Sequence, residues 1–277
     1  MTLISSCTFC SHGALELVTT FTSPPPNEVC FAPVANAVYR RDLHRCTRCG
    51  HFFSTHDMDL GQLYTSAYAD ANYGDDRLRQ TFEQIIALPP NQSDNAFRVK
   101  RVNMYSRPHL KDTPLALDVL DVGSGLGVFP HAMKQAGWNV TALDPDSRQA
   151  QHARNVVGVS AIHADFMTAQ NLPKFSLVTF NKVLEHVREP ISMLARARPI
   201  LKPGGICYVE LPDGEAAIED PEGAAREEFT IDHPHVFSAA SMALLAQRSG
   251  FRVDFMERIR EPSTKYTLYT FLTAAPK

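Results

Sequence analysis

Residues 117–127 read Leu-Asp-Val-Leu-Asp-Val-Gly-Ser-Gly-Leu-Gly. An apolar run from Leu115 to Val122, interrupted only by Asp118 and Asp121, ends on Gly123, Ser124, Gly125, Leu126 and Gly127. A continuous rather than alternating run is expected of a parallel strand covered on both faces. The glycines predict a sharp strand-to-helix turn in which a ligand approaches backbone that a side chain would otherwise block. A nucleoside-type cofactor is the natural guest. The acid at the strand end and glycines at every second position differ from G-x-G-x-x-G, and no Lys-Ser or Lys-Thr follows, which excludes a P-loop.

Working outward, a helix is expected over Val128 to Ala136 and a second strand over Asn139 to Leu143, ending in Asp144-Pro145-Asp146. Asp144 then stands where a ribose hydroxyl pair would lie. A third strand, Ser160 to Ala164, ends in Asp165-Phe166, an acceptor for an adenine amino group beside an apolar face for its ring. Phe175 to Val183 is a further β-rich run leading into Asn181-Lys182-Val183-Leu184-Glu185-His186. Site residues sit at the carboxyl ends of parallel strands in open α/β sheets, which places Asn181 near the reacting group.

The ordered motifs LDVGSGLG at 120–127, LDPD at 143–146, HADF at 163–166, SLVTFNKVLEHV at 176–187 and LKPGG at 201–205 resemble the class I S-adenosylmethionine-dependent methyltransferases. The resemblance covers roughly the C-terminal three-fifths of the chain. It implies an α/β, Rossmann-like seven-stranded sheet whose last strand is antiparallel, with Asp121, Gly123, Ser124, Gly125, Gly127, Asp144, Pro145, Asp165, Phe166 and Asn181 around the cofactor. Independently, Phe251 to Ile259 and Tyr266 to Ala274 read as a closing hairpin. Leu184 to Val187 resembles the ubiquinone-type O-methyltransferases, some of which hold a divalent metal on a Glu-x-x-Glu-His cluster. Here Lys182 occupies the first glutamate's place.

At 277 residues, 44% hydrophobic and 21% charged, the composition is that of a soluble globular protein with room for a large domain and a smaller one. With 27 basic and 30 acidic residues there is no global attraction to nucleic acid or an anionic membrane. The start lacks a basic stretch followed by a long apolar one, and no run reaches the length of a membrane span, so a cytoplasmic location is expected. There the six cysteines stay reduced. Cys7-Thr8-Phe9-Cys10 is answered by Cys46-Thr47-Arg48-Cys49, a spacing that closes a structural zinc site with no open position for water; the alternative is four reduced thiols without metal. Leu15 to Thr20 and Val38 to Leu43 are the strands expected between the knuckles, while Cys30 and Cys207 are bystanders.

The expected division is a zinc-ribbon-like module over 1–62, a tyrosine-containing linker and helical lid over 63–112, and the methyltransferase domain over 113–277. The run from Leu63 to Tyr73 follows the paired cysteines as in methyltransferases that act on nucleotide-linked sugars and related glycans. That resemblance places Tyr73 in a lid over cofactor and substrate; the alternative is ordinary packing. Helices are expected over Asp76 to Leu88 and Asn95 to Arg107, with Pro108 and the stretch 111–114 marking the boundary.

Beyond the sheet strands, a helix is expected over Ile191 to Leu201, a turn at Lys202-Pro203-Gly204-Gly205 and a strand over Gly205 to Leu211. Asp213 to Asp232 is acidic and reads as a solvated insertion. Asp232-His233-Pro234-His235 precedes the N-cap Ser238 of a helix that Gly250 ends, and its histidines would overhang the sheet edge. An imidazole suits deprotonation of a hydroxyl near neutral pH, which makes His235 the candidate general base and His186 its reserve, with Glu185 and His233 as further candidates; the alternatives are a helix start whose acid favours the N-terminal dipole for Glu185 and His186, and a loop packed by its own rings for His233 and His235. The function expected is O-methylation of a small-molecule acceptor, a nucleotide-linked sugar or glycan-type hydroxyl. C- or N-methylation is the alternative, and a zinc-ribbon RNA-binding or RNA-modifying protein the more distant one.

Overall fold

The computed structural model describes residues 6–26, 28, 39–58, 75–110 and 117–276. Cys30, the run of tyrosines including Tyr73, and the boundary stretch 111–114 lie outside them. Three strands come first, β1 (Leu15–Phe21), β2 (Arg41–Cys46) and β3 (Phe52–His56), followed by helices α1 (Asp75–Ile86) and α2 (Asp94–Leu110). Alternation then begins with β4 (Asp118–Val122), α3 (Val128–Gln135), β5 (Asn139–Asp144), α4 (Ser147–His152), β6 (Ser160–His163) and β7 (Phe175–Asn181). After α5 (Pro190–Ala195) come β8 (Leu201–Pro212), α6 (Gly214–Ile218), β9 (His235–Val236), α7 (Ala239–Arg248), β10 (Phe251–Arg260) and β11 (Tyr266–Ala274).

The larger sheet runs β10-β11-β8-β7-β4-β5-β6. Strands β8, β7, β4, β5 and β6 pair in parallel, and β11 is antiparallel to both neighbours. This is the expected seven-stranded sheet with its last strand reversed, closed by the expected hairpin. Side chains alternate between its faces: Cys207, Val209 and Leu211 of β8 join one apolar core with Leu194 and Leu245, while Ile206 and Tyr208 join another with Val102, Phe129 and Met133. Helices therefore cover both faces, which is why the strands read as unbroken apolar runs.

Several boundaries differ from expectation. Helix α2 continues through Pro108 to Leu110, although the proline forfeits its own bond to the carbonyl four residues back. The helix expected to reach Leu201 stops at Ala195 and is followed by a short 3₁₀ turn at Arg198–Ile200. The Lys202–Gly205 turn forms as a bulge within β8: Phe175 pairs with Leu201 and Leu177 with Ile206, so five steps on one strand oppose two on the other.

The smaller sheet runs β1-β2-β3-β9, all antiparallel, so its fourth strand comes from the far end of the chain. Phe9 and Phe53 share an apolar cluster with Leu184, Phe237 and Met242. The acidic insertion is solvated only in part: Glu219 and Glu222 are exposed, but two of its acids are inside the fold. Asp213 is buried, accepts both amides at the start of α6 and forms a forked pair with Arg258 at 2.6 and 2.9 Å; Glu228 is buried against Arg226 at 2.9 Å.

Candidate active site

The glycine turn lies at the carboxyl ends of β4 and β5. Gly123, Gly125 and Gly127 have φ of 68°, 51° and 72°. A Cβ on Gly123 would come within 2.8 Å of Val183, and one on Gly127 within 2.8 Å of Val157. Two of the three glycines therefore also answer to neighbouring side chains. The Gly125 amide donates to Asp144 Oδ2 at 2.8 Å, and Asp144 Oδ1 accepts the Asp146 amide at 2.9 Å. The expected ribose acid thus fastens the turn to the end of β5, and burial pushes its pKa up.

Asp121 faces inward. Its Oδ1 accepts from Thr179 Oγ1 at 2.6 Å and from Asn181 Nδ2 at 2.7 Å, and burial raises its pKa to about 7. Where the resemblance implied a cofactor ligand, the geometry shows a carboxylate that orients Asn181. Phe166 differs as well: its ring is 2% exposed and meets Phe180 edge-on at 5.7 Å, within the core rather than as an open face. Asp165 is exposed and accepts the Met167 amide at 2.8 Å, and the Pro145 carbonyl is bonded to a His163 ring nitrogen at 3.1 Å.

Three buried polar atoms around this turn have no partner: Ser124 Oγ, Gln149 Oε1 and Asn181 Oδ1. Gln149 was not picked out in the sequence. It lies in α4 just past the Asp-Pro-Asp corner, and its Oε1 stands 3.3 Å from where a Gly125 Cβ would be. A glycine cradle ringed by unsatisfied acceptors fits a polar ligand such as the nucleoside cofactor.

At the end of β7 the non-glycine Lys182 has φ 57°, which turns the chain sharply after Asn181. Glu185 follows, fully buried, with both carboxylate oxygens unpartnered and its pKa raised by burial. His186 Nδ1 donates to the Asp232 carbonyl at 3.0 Å, and His233 Nδ1 to the Glu228 carbonyl at 2.9 Å. The two rings meet edge-on at 4.6 Å. Glu185, His186 and His233 are thereby brought together. Burial lowers the His233 pKa to about 4.

His235 is elsewhere. It does not overhang the sheet edge but forms β9, opposite Phe53. Its Nε2 donates to the Arg188 carbonyl at 3.4 Å, so its Nδ1 accepts from His51 Nε2 at 3.1 Å, and His51 Nδ1 faces Ser241 Oγ at 3.1 Å. Both His235 nitrogens are engaged inside the fold, where burial takes the pKa to about 4. A general base needs a nitrogen free to reach the acceptor; this histidine joins the small sheet to the large domain instead. Its partner His51, directly after the second cysteine knuckle, went unrecognised in the sequence because the pairing spans 184 residues.

Glu210, at the end of β8, receives Arg98 from two nitrogens, Arg101 at 2.8 Å and Tyr208 at 2.8 Å. Burial alone would raise its pKa, but Arg98, Lys182 and Arg101 hold it well below the usual carboxylate range.

In the small sheet's turns the Cys7–Cys49 and Cys10–Cys46 sulfurs are each 3.5 Å apart, and all four lie within 4.8 Å of one another. Tetrahedral zinc thiolates place sulfurs roughly 3.8 Å apart, so the donor set and spacing fit that ion.

A family model described as a methyltransferase domain matches residues 75–254. A ubiquinone biosynthesis O-methyltransferase of Actinobacillus pleuropneumoniae serotype 7 is 34% identical over 101 residues, covering 32% of this chain and 43% of that protein. One from Pseudomonas aeruginosa is 35% identical over 98 residues, covering 33% and 42%. The alignments thus span less than half the length of these curated relatives. Among solved structures, Burkholderia thailandensis 1,6-didemethyltoxoflavin-N1-methyltransferase matches with a TM-score of 0.54 at 18% identity, over 88% of this chain and 99% of that one. Streptomyces venezuelae DesVI matches with 0.51 at 16%, over 74% and 99%. These two similarities establish a shared fold.

Proposed function

Since the chain belongs to the methyltransferase-domain family, we propose that it transfers a methyl group from S-adenosylmethionine to a hydroxyl of a small-molecule acceptor. The observation that carries this reading is the glycine cradle with three unpartnered buried acceptors, Ser124, Gln149 and Asn181, beside the carboxylate and imidazoles of Glu185, His186 and His233. The bound cofactor supplies an electrophilic methyl on a sulfonium. Gly125 leaves room for it, Asp144 holds the turn, and Asn181, oriented by Asp121, faces it from β7. Alignment of acceptor and methyl is the main task of such a site. The acceptor's proton is taken at the Glu185, His186 and His233 cluster, with His186 the residue placed to receive it.

For the acceptor we retain the nucleotide-linked sugar or glycan hydroxyl that the paired cysteines and following tyrosines suggested; the named ubiquinone relatives make a phenol the first competitor. The residues assigned to the lid, Tyr73 among them, belong to the same proposal, as does zinc on Cys7, Cys10, Cys46 and Cys49. Among the described residues no helix is long and apolar enough to cross a membrane.

Calorimetry should show S-adenosylmethionine binding, and a panel of sugar nucleotides and phenols should reveal turnover on hydroxyl acceptors. His186→Ala should then lower the single-turnover rate by roughly 10²–10⁴-fold with cofactor affinity kept, while His235→Ala acts through stability. A protein without cofactor affinity would overturn the reading, and transfer only to nitrogen or carbon acceptors would redirect it.

A further inference from the structure

Lys182 is a side chain that proton removal at the histidine cluster leaves unexplained. Its backbone has a left-handed φ of 57°, a setting that glycine enters freely and a lysine does not. The Glu210 carbonyl pins it there by accepting the Lys182 amide at 2.9 Å. The ammonium donates to Thr267 Oγ1 at 3.0 Å. An ammonium has three donors, and among the described residues no carboxylate pairs with it. The two carboxylates of that corner are taken by arginines: Glu210 by Arg98 and Arg101, Glu261 by Arg101. Burial pulls the Lys182 pKa down, and Glu210 and Glu185 act against it without touching it. A desolvated cation with no ion pair is costly, so it is the group that gains most from an arriving anion.

The strand order indicates what would bring that anion. The glycine cradle, Asp144 and Gln149 lie over the ends of β4 and β5, so the cofactor takes that half of the sheet edge. Lys182 leaves the end of β7 and reaches Thr267 of β11 across β8, over the opposite half, where the acceptor of the methyl group has to lie. Lys182 also stands where a Glu-x-x-Glu-His run carries its first acid, so the sign of this corner is reversed. We propose that Lys182 binds an oxyanion of the acceptor, a phosphate or a carboxylate, and thereby selects an anionic acceptor over a neutral one. To an ammonium the two groups are the same chemistry, a negative charge whose lone pairs fill the remaining N–H donors. His186 stays free to take the proton from the hydroxyl of the same molecule. The inference rests on the methyltransferase reading for placing the acceptor and adds the substrate class to it: a nucleotide-linked sugar fits through its phosphates, and a phenol fits only if it carries an acid group.

The test uses full-length protein saturated with S-adenosylhomocysteine and two probe pairs that differ by the anionic group: uridine diphosphate with uridine, and 3,4-dihydroxybenzoate with catechol. Calorimetry should show the charged member of at least one pair binding about 10-fold more tightly or better, as a charge-assisted hydrogen bond is worth. Preference for the diphosphate identifies a phosphate-bearing acceptor, and preference for the benzoate a carboxylate-bearing one. In Lys182→Met the preference should fall below about 3-fold, with S-adenosylhomocysteine affinity and circular dichroism unchanged; Lys182→Gln repeats the measurement if the methionine variant fails to fold. Equal affinities within both pairs in the wild type overturn the inference, and that comparison needs no variant. So does a preference that survives the loss of the ammonium in a folded protein. The two failures are distinguishable: a protein that binds no S-adenosylhomocysteine loses the methyltransferase reading and this inference with it, whereas one that binds it but ignores the charge of the probes loses this inference alone.

Discussion

At Gly125 the left-handed φ of 51° and the short path to Gln149 leave no comfortable place for a branched side chain. Gly125→Val should therefore weaken S-adenosylmethionine binding by at least an order of magnitude, as read by calorimetry, in a protein that remains folded; unchanged affinity would remove the cradle from the site. Asp121 offers a pH signature. Its native pKa of about 7 lies above the ordinary 3.8, so between these values the folded protein holds more protons than the unfolded one. Its contribution to stability is greatest below about pH 4, declines as pH rises towards 7 and is flat above. The slope is on the order of 1 kcal/mol per pH unit. In Asp121→Asn, thermal melts of cofactor-free protein should show a shallower decline from pH 5 to 7, and parallel curves would refute the assignment. The glycines were legible because φ preference and turn spacing are local properties. Phe166 and His235 were not, because what decides their roles is a ring of Phe180 or His51 brought in by the fold.

Among the elements, α2 is fastened to the sheet through one carboxylate. Arg98 and Arg101 both reach Glu210 on β8, and Arg101 continues to Glu261 at 2.5 Å. Glu210 is fully buried and Arg98 is the partner bonded to its Oε1, so removing that arginine strips one oxygen of its hydrogen bond and leaves the charge to Arg101 and Lys182. Arg98→Ala should cost roughly 3–5 kcal/mol in denaturant unfolding, whereas an exposed pair such as Arg79 and Glu83 should cost less than about 1 kcal/mol. A small effect at Arg98 would mean that water enters behind α2. At the other side of the sheet, Ser238 caps α7 in a reciprocal capping box with Ser241, and Ser238→Ala should cost about 1 kcal/mol. Ser238 as cap and Gly250 as terminator could be read from the chain because capping is decided within one turn. The acidic insertion could not: Asp213 and Glu228 look solvated in composition, but Arg258 and Arg226 neutralise them inside the fold.

For the whole molecule, the cysteine turns and the large domain are joined through shared structure. Strand β9 leaves the large domain to pair with β3, the Ser241–His51–His235–Arg188 chain crosses between them, and Ser238 Oγ donates to the Cys49 carbonyl. The two C-x-x-C motifs announced the knuckles, since ligand spacing is written in the sequence. The pairing of β3 with β9 was hidden, because it depends on residues about 180 positions apart that share only two rungs. If zinc fills the four-cysteine site, its removal should therefore be felt beyond β1 to β3. Purified reduced protein should contain zinc on those thiolates, and Cys46→Ser should abolish it at that site. Without the ion the knuckles no longer fix His51 and the Cys49 carbonyl, so β9 and the start of α7 lose their partners. Thermal unfolding of the large domain, followed by near-ultraviolet dichroism of Trp138, should then fall by on the order of 10 °C, since each kcal/mol is worth about 2–4 °C in a chain of this size. Were chelation to leave that transition unmoved while the knuckles lost their metal, the small sheet would be an independent unit and the histidine chain mere contact.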